Sequence, residues 1–379
     1  MPLDEIPAVR LGTGPDLAAA LPQLLGFVPS ESLVLVALTG SPAARVGVTL
    51  RVDLPDPADA PALAAAAVAR LGHEPPAAVV ALVVTEAPDV QDGDHDPGDL
   101  LDRRLHDLDP VGLRLLRTAG LDLPGRPVVS AVAGALAAAG VPLLAASLVR
   151  AGRCWDYDCA EPCCDPGAGQ LLPGGTTELA AAAVVRGQVV AADRAELVAR
   201  LAPVAGPAAV AVGRACAVVG AVQADALHRH GWEALADRSW RLVRDAVADA
   251  GSRAPRPLTD EDVARLGWAL TDLEVRDQAM GLGTGPTGPA AEALWTELVR
   301  RLPPPLDAAP ATLLAATAWA RGDGTTAGIA LDRALDSQPT YALARLLDQG
   351  LAAGLPPAAV RDLLTRAGDP GARSEQLGA

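Results

Sequence analysis

The spacing of apolar residues changes near residue 205, and this change limits the folds that are open to the chain. Before it, β-rich runs alternate with helix-forming stretches, whereas after it the spacing is helical throughout. Strand, helix and strand in succession favour a mixed, mostly parallel sheet with helices. We therefore predict an α/β domain over 1–204 that ends in a cysteine-rich turn segment, followed by an all-α helical domain over 205–379.

The strongest strand signals lie in the first hundred residues. SLVLVALT (32–39) and RVGVTLRVDL (45–54) are joined by a short turn segment, which predicts an antiparallel hairpin. A helix then precedes AAVVALVVTE (77–86), whose unbroken apolar run predicts a fully buried strand. Farther along, residues 127–149 are uncharged and long enough to cross a bilayer. Breaks at Gly140 and Pro142 favour a buried helix followed by a buried strand instead.

The helical half contains two local signatures. Thr259 precedes a helix with Asp262 three residues later, an arrangement close to a capping box. Residues 308–341 partly match the tetratricopeptide pattern, and the next segment does not repeat it. We predict one tetratricopeptide-like helical hairpin within a bundle, because a solenoid needs several repeats. The matching positions are Leu314, Ala327, Ala334 and Pro339.

Charge and composition exclude several classes of function. The net charge is −15, which argues against nucleic acid or an anionic membrane surface as the partner. The chain contains no lysine, so neither a P-loop nor a Schiff-base mechanism is available, and we predict no cofactor. The first residues are acidic and lack the order of a signal peptide, which indicates a cytoplasmic protein with no membrane association.

Four of the five cysteines lie in RCWDYDCAEPCCDPGAGQ (153–170). Their spacing, Cys154-x4-Cys159-x3-Cys163-Cys164, lacks the C-x2-C knuckle of structural zinc sites and fits zinc poorly, so we assign no metal ligands. Free thiols, a redox-active pair, a metal and a nucleophile remain as alternatives. We assign Cys159, Cys163 and Cys164 as a candidate thiol switch, because a disulfide across AEP is sterically reasonable.

The residues around these cysteines also predict the secondary structure of the segment. Trp155 and Tyr157 alternate with Cys154 and Asp156, which is the period of a strand. We expect the buried strand that ends near residue 150 to continue into this segment. The two aromatic side chains then share one face of the strand.

Polar residues at the predicted strand ends form a second candidate site. Ser32 begins one strand, and Arg51 and Asp53 end the next. Ligands of α/β sheets commonly bind at strand ends, so these three residues are the candidate small-molecule pocket. A surface ion pair with turn caps is the simpler alternative.

Several stretches resemble one family of uncharacterised actinobacterial proteins, the domain of unknown function 4192. They include LLGFVPSESLVLVAL (24–38), CAEPCCDPGAG (159–169), VRDQAM (275–280) and AWARGDGTTAGIALDRALDSQPTYALARLL (318–347). The resemblance implies a soluble actinobacterial protein and carries over no catalytic residues.

These observations favour a non-enzymatic binding or regulatory module with a protein or small-molecule partner that the sequence does not identify. One alternative is a hydrolase or transferase with a site near Asp53. Another is a thiol-based redox or metal sensor that uses the cysteines of 154–164.

Overall fold

The computed structural model describes residues 14–40, 45–71, 75–88, 90–91, 121–159, 161–164, 168–175, 177–185 and 188–368. The chain forms two compact units, residues 1–193 and 194–379. This division lies before residue 204, because the helix Arg194–Arg200 contacts the helix Gly324–Ser337 of the second unit. Arg194 also reaches Asp332 there, with 3.8 Å between nitrogen and oxygen.

Eight strands are described in the first unit. Six of them form one mixed sheet, and the remaining two pair with each other. The strands are β1 (Ser32–Thr39), β2 (Arg45–Asp53), β3 (Ala78–Val84), β4 (Val90–Gln91), β5 (Leu121–Asp122), β6 (Leu143–Arg150), β7 (Arg153–Asp156) and β8 (Gln170–Leu171). The order in the larger sheet is β2-β1-β3-β6-β7-β8, and β4 pairs with β5.

Strand β1 determines the topology of the larger sheet. It forms the predicted antiparallel hairpin with β2, and it is also antiparallel to β3. The pair β3–β6 is parallel, whereas β6–β7 and β7–β8 are antiparallel. The expected mixed sheet is confirmed, but "mostly parallel" is wrong for the described strands. Strand β1 lies between β2 and β3 and keeps these two mutually parallel strands apart. Residues 33–37 of β1 are buried on both faces of the sheet.

Helices cover the sheet on both faces. They are α1 (Gly14–Leu25), α2 (Ala60–Ala69), α3 (Arg126–Ala138) and α4 (Glu178–Val185). Helices α2 and α3 pack against each other, and their Ala64, Val132 and Leu136 join Leu35 and Val83 of the sheet in one buried cluster. Helix α1 contacts β6 and β7. The apolar stretch 127–149 is therefore divided, as predicted, into a helix and a strand.

The second unit is helical throughout its described residues, as predicted. Its helices are α5 (Arg194–Arg200), α6 (Pro207–Ala250), α7 (Asp260–Ala269), α8 (Leu273–Leu282), α9 (Gly288–Arg301), α10 (Ala308–Ala320), α11 (Gly324–Ser337), α12 (Ala342–Ala352) and α13 (Pro357–Ala367). Helix α10 is buried along its whole length and contacts α8, α9, α11, α12 and α13. Because many residues of α10 are alanine, five neighbouring helices can pack close to its axis.

Helices α10 and α11 pack against each other as a helical hairpin, and its likeness to the tetratricopeptide pattern stays a prediction. Leu314, Ala327 and Ala334 are buried, and Pro339 follows the end of α11. Helix α12 contacts α11, but α13 packs on α8 and α10. Because α13 turns back onto earlier helices, it does not extend a stacked array of hairpins.

Helix α6 is long and apolar. One stretch of it has a mean hydropathy of 1.4, and 17% of that stretch is buried. Among the described residues, α6 alone has the length and composition to cross a membrane, a property it shares with helices of soluble proteins. Gly231 interrupts the helix with φ of 78°.

A capping box begins α7 and confirms the sequence prediction. The hydroxyl of Thr259 accepts from the backbone N–H of Asp262 at 3.1 Å. The backbone N–H of Thr259 donates to the Asp262 carboxylate at 3.0 Å, and Arg256 donates to the same oxygen at 3.0 Å. Burial works to raise the pKa of Asp262, but these bonds outweigh it and lower the pKa from 3.8 to about 2.

We expect Asp262→Ala to lower the free energy of unfolding by about 1–2 kcal/mol at neutral pH, because the helix loses its cap. A lowered carboxyl pKa stabilises the fold above the unfolded pKa, and this contribution is lost as pH falls towards the folded value. The deficit of the variant should therefore shrink between about pH 4 and about pH 2. Urea unfolding across this range measures it. Glu261→Ala, which removes a neighbouring exposed carboxylate, is the control, and an equal loss in both variants would contradict the account.

Candidate functional site

The candidate pocket residues lie together at one end of the sheet. Arg51 Nε donates to the hydroxyl of Ser32 at 2.8 Å, and Arg51 Nη1 lies 2.5 Å from Asp53 Oδ1. Ser32 is fully buried, whereas the side chain of Asp53 is 88% exposed. The three groups thus bond to one another, as a strand-end ion pair does.

A groove in the first unit lies elsewhere. It has a volume of about 480 Å³ and is lined by apolar side chains of α2, α3 and the segments that follow them, including Val68, Leu71, Ala135 and Val141. None of the candidate pocket residues lines it.

The cysteine segment begins with a reversal of the chain. We expected β6 to continue through it, but Ala151 and Gly152 have φ of 48° and 72° and turn the chain back. Strand β7 then pairs antiparallel with β6. The predicted alternation is confirmed, because Trp155 and Tyr157 are buried in the core cluster of the sheet.

Three cysteines gather just after β7. Cys163 and Cys164 belong to a short 3-10 helix, Pro162–Cys164, and Cys159 precedes it. The sulfur atoms of these three residues all lie within 4.8 Å of one another, and those of Cys163 and Cys164 are 3.9 Å apart. We call these three residues the thiol cluster. All of its cysteines are free thiols, and Cys164 is buried.

Each sulfur of the thiol cluster accepts a hydrogen bond from a different N–H group. The backbone N–H of Asp156 donates to Cys164 at 3.3 Å, the backbone N–H of Glu161 to Cys159 at 3.4 Å, and Nε2 of Gln170 to Cys163 at 3.5 Å. Sequence reasoning missed this arrangement, because backbone donors carry no signature in the side-chain pattern. Gln170 is the only side-chain donor of the three, so it was the only one that the sequence could have indicated.

Burial raises the pKa of the Cys164 thiol to about 12, and the neighbouring cysteines add to this rise. The backbone N–H of Asp156 acts in the opposite direction. Since the thiolate is the nucleophile, a thiol with so high a pKa is unreactive near neutral pH. Cys164 is therefore poorly suited to be a catalytic nucleophile.

The other two cysteines lie outside the thiol cluster. Cys154 is buried on β7, and burial raises the pKa of its thiol while a hydrogen bond with Ser147 lowers it. Cys216 is buried in α6, where burial likewise raises its pKa. Both fit the role of small apolar residues.

The loop that carries the thiol cluster is fixed to the sheet at both ends. Strand β8 pairs with β7, opposing Gln170 to Cys154. Arg153 donates to the carbonyls of Ala168 and Gly169 at 2.9 and 3.0 Å. These bonds hold the cluster at the edge of the sheet.

A family model described as a domain of unknown function, DUF4192, matches residues 15–358. The chain belongs to this family. The match spans both compact units, in agreement with the resemblance noted in the sequence. No curated protein and no solved structure matches the chain.

Gly169 is the residue at which the loop meets the core. It adopts φ of +65°, and a Cβ there would lie 2.5 Å from the ring of Trp155. We expect Gly169→Ala to destabilise the first unit by about 1–3 kcal/mol, because the added Cβ would meet a buried ring and the backbone has a positive φ. Chemical denaturation measures this loss.

Two matched glycines serve as controls for Gly169. Gly174 has open space around it, and its alanine variant should change stability by less than about 0.5 kcal/mol. Gly175 has φ of +83° with no neighbour within 4 Å, so its variant isolates backbone strain. Equal losses in Gly169→Ala and Gly175→Ala would show that the contact with Trp155 is absent.

Proposed function

We propose that this protein is a non-enzymatic binding or regulatory module of the cytoplasm whose input is received by the thiol cluster. The observation that carries the proposal is the approach of three sulfur atoms to within 4.8 Å of one another. Such a cluster has two chemical inputs, which are oxidation to a disulfide and coordination of a thiophilic ion. Both replace S–H groups with bonds that draw the loop together.

The connections of the cluster support a regulatory role. Asp156, whose N–H donates to Cys164, is the last residue of β7, and Trp155 before it is buried in the core. A change at the sulfurs therefore acts on the backbone that holds this side chain. Gln170 connects the cluster to β8 in the same way.

Catalysis at the cysteines has weaker support. A cysteine nucleophile needs a base beside it. The described residues of the first unit include no histidine, and burial raises the pKa of the Cys164 thiol. The alternative of a hydrolase or transferase at Asp53 has weaker support, because this carboxylate pairs with Arg51, is 88% exposed and does not line the groove.

The helical unit is the proposed binding surface for a partner. Its hairpin of α10 and α11 carries small buried residues at tetratricopeptide-like positions, among them Ala327 and Ala334. Hairpins of this type commonly bind other proteins in larger arrays. The absence of lysine and the family resemblance support an actinobacterial source.

We expect either input to slow amide hydrogen exchange across residues 153–171 in the full chain. Hydrogen peroxide should act by taking two electrons and two protons from two thiols, leaving a disulfide and two waters. Cadmium should act by binding to the sulfur atoms of the thiol cluster. Exchange measured by mass spectrometry, before and after each treatment, reports the change.

Two variants complete this experiment. Replacing Cys159, Cys163 and Cys164 together by serine should abolish the response, whereas Cys216→Ser, which removes a single buried thiol of α6, should leave it intact. The regulatory proposal fails if neither treatment alters exchange in the parent chain, or if the triple variant responds equally.

A further inference from the structure

We propose that Cys159, Cys163 and Cys164 bind one thiophilic metal ion of the zinc class as three thiolates. This inference deepens the proposed function, on which its regulatory meaning rests, by naming the ligand of the cluster. Sequence spacing argued against a metal because two of the cysteines are adjacent. The fold removes that objection by directing both adjacent sulfurs towards Cys159.

The sulfur-to-sulfur distances fit a metal better than a disulfide. Zinc binds thiolate sulfur at about 2.3 Å, so two sulfurs on one tetrahedral ion lie about 3.8 Å apart. Cys163 and Cys164 are 3.9 Å apart, and Cys159 lies within 4.8 Å of both. A disulfide requires about 2.05 Å between sulfurs. Coordination thus needs smaller movements than oxidation does.

The hydrogen bonds to sulfur are a second, independent observation, because each donor would stabilise the thiolate that forms when a metal ion displaces the thiol proton. An N–H group donates more strongly to a charged acceptor than to a neutral one. All three sulfurs have such a donor, and the donors come from three separate segments. Three thiolates and one divalent ion together carry a net negative charge. The three N–H donors would partly offset this charge.

Binding of the metal ion by the three cysteines requires no oxidant. Each cysteine loses one proton to solvent, and each sulfur forms one bond to the ion. No electrons are transferred, so the step is reversible by a chelator. Sulfur ligands favour zinc and similar soft ions over magnesium or calcium.

The test titrates the full, reduced chain with cadmium, a spectroscopic substitute for zinc, in the presence of a reductant that contains no thiol. We expect one cadmium per chain and a saturating sulfur-to-cadmium charge-transfer absorbance. Cys159→Ser, Cys163→Ser and Cys164→Ser should each weaken binding by about tenfold or more. Cys216→Ser should bind as the parent does.

Cys163→Ser guards against loss of folding, because Cys163 is exposed and its replacement is isosteric. Gln170→Glu tests the positioning donor, since it keeps the size of the side chain and removes the N–H. We expect a loss of roughly tenfold in affinity together with a shift of the charge-transfer band, which a purely structural residue would not cause.

Two outcomes overturn the metal inference: no cadmium bound by the parent chain, or undiminished binding when the three cysteines are replaced together. If peroxide still slows hydrogen exchange in either case, the regulatory proposal survives and the ligand is wrong. If cadmium binds with the expected stoichiometry while neither input alters exchange, the metal site stands and the regulatory proposal falls.

Discussion

The burial of Trp155 against the sheet is the interaction on which the rest of the candidate site depends. Its side chain is 3% exposed and lies in one cluster with residues of α2, α3 and the central strands. Truncating a buried tryptophan typically costs about 3–5 kcal/mol, whereas leaving a small polar group buried costs about 1–3 kcal/mol. The core therefore fixes β7, and β7 in turn holds the thiols.

One strand thus serves the core and the cluster at the same time. Side chains of β7 alternate between the two faces of the sheet, so Trp155 enters the core while the strand backbone at Asp156 donates to Cys164. Gly169 then brings the far end of the loop against the same ring. We expect a bulkier residue at Gly169 to move Gln170 away from the sulfur of Cys163. We therefore expect the proposed metal or redox chemistry at the thiol cluster to depend on the packing of Trp155.

Local features of this fold were predictable, and non-local ones were not. The hairpin of β1 and β2, the division of 127–149 and the cap at Thr259 depend on neighbouring residues, and the sequence pattern predicted all three. Sheet order depends on pairing between distant strands, so the position of β1 between β2 and β3 escaped prediction. The turn at Ala151 was missed because alanine seldom adopts positive φ. The sequence grouped Cys159, Cys163 and Cys164 correctly but argued against a metal, because spacing rules describe zinc knuckles and not a 3-10 helix that faces a strand end.

X-ray absorption at the zinc edge, on the full chain loaded with one equivalent of zinc, tests the central claim most directly. It measures the atoms bound to the ion without reference to any variant. The account predicts a coordination shell with about three sulfur atoms at about 2.3 Å. A shell made only of nitrogen and oxygen would contradict it, because the ion would then lie away from the three cysteines.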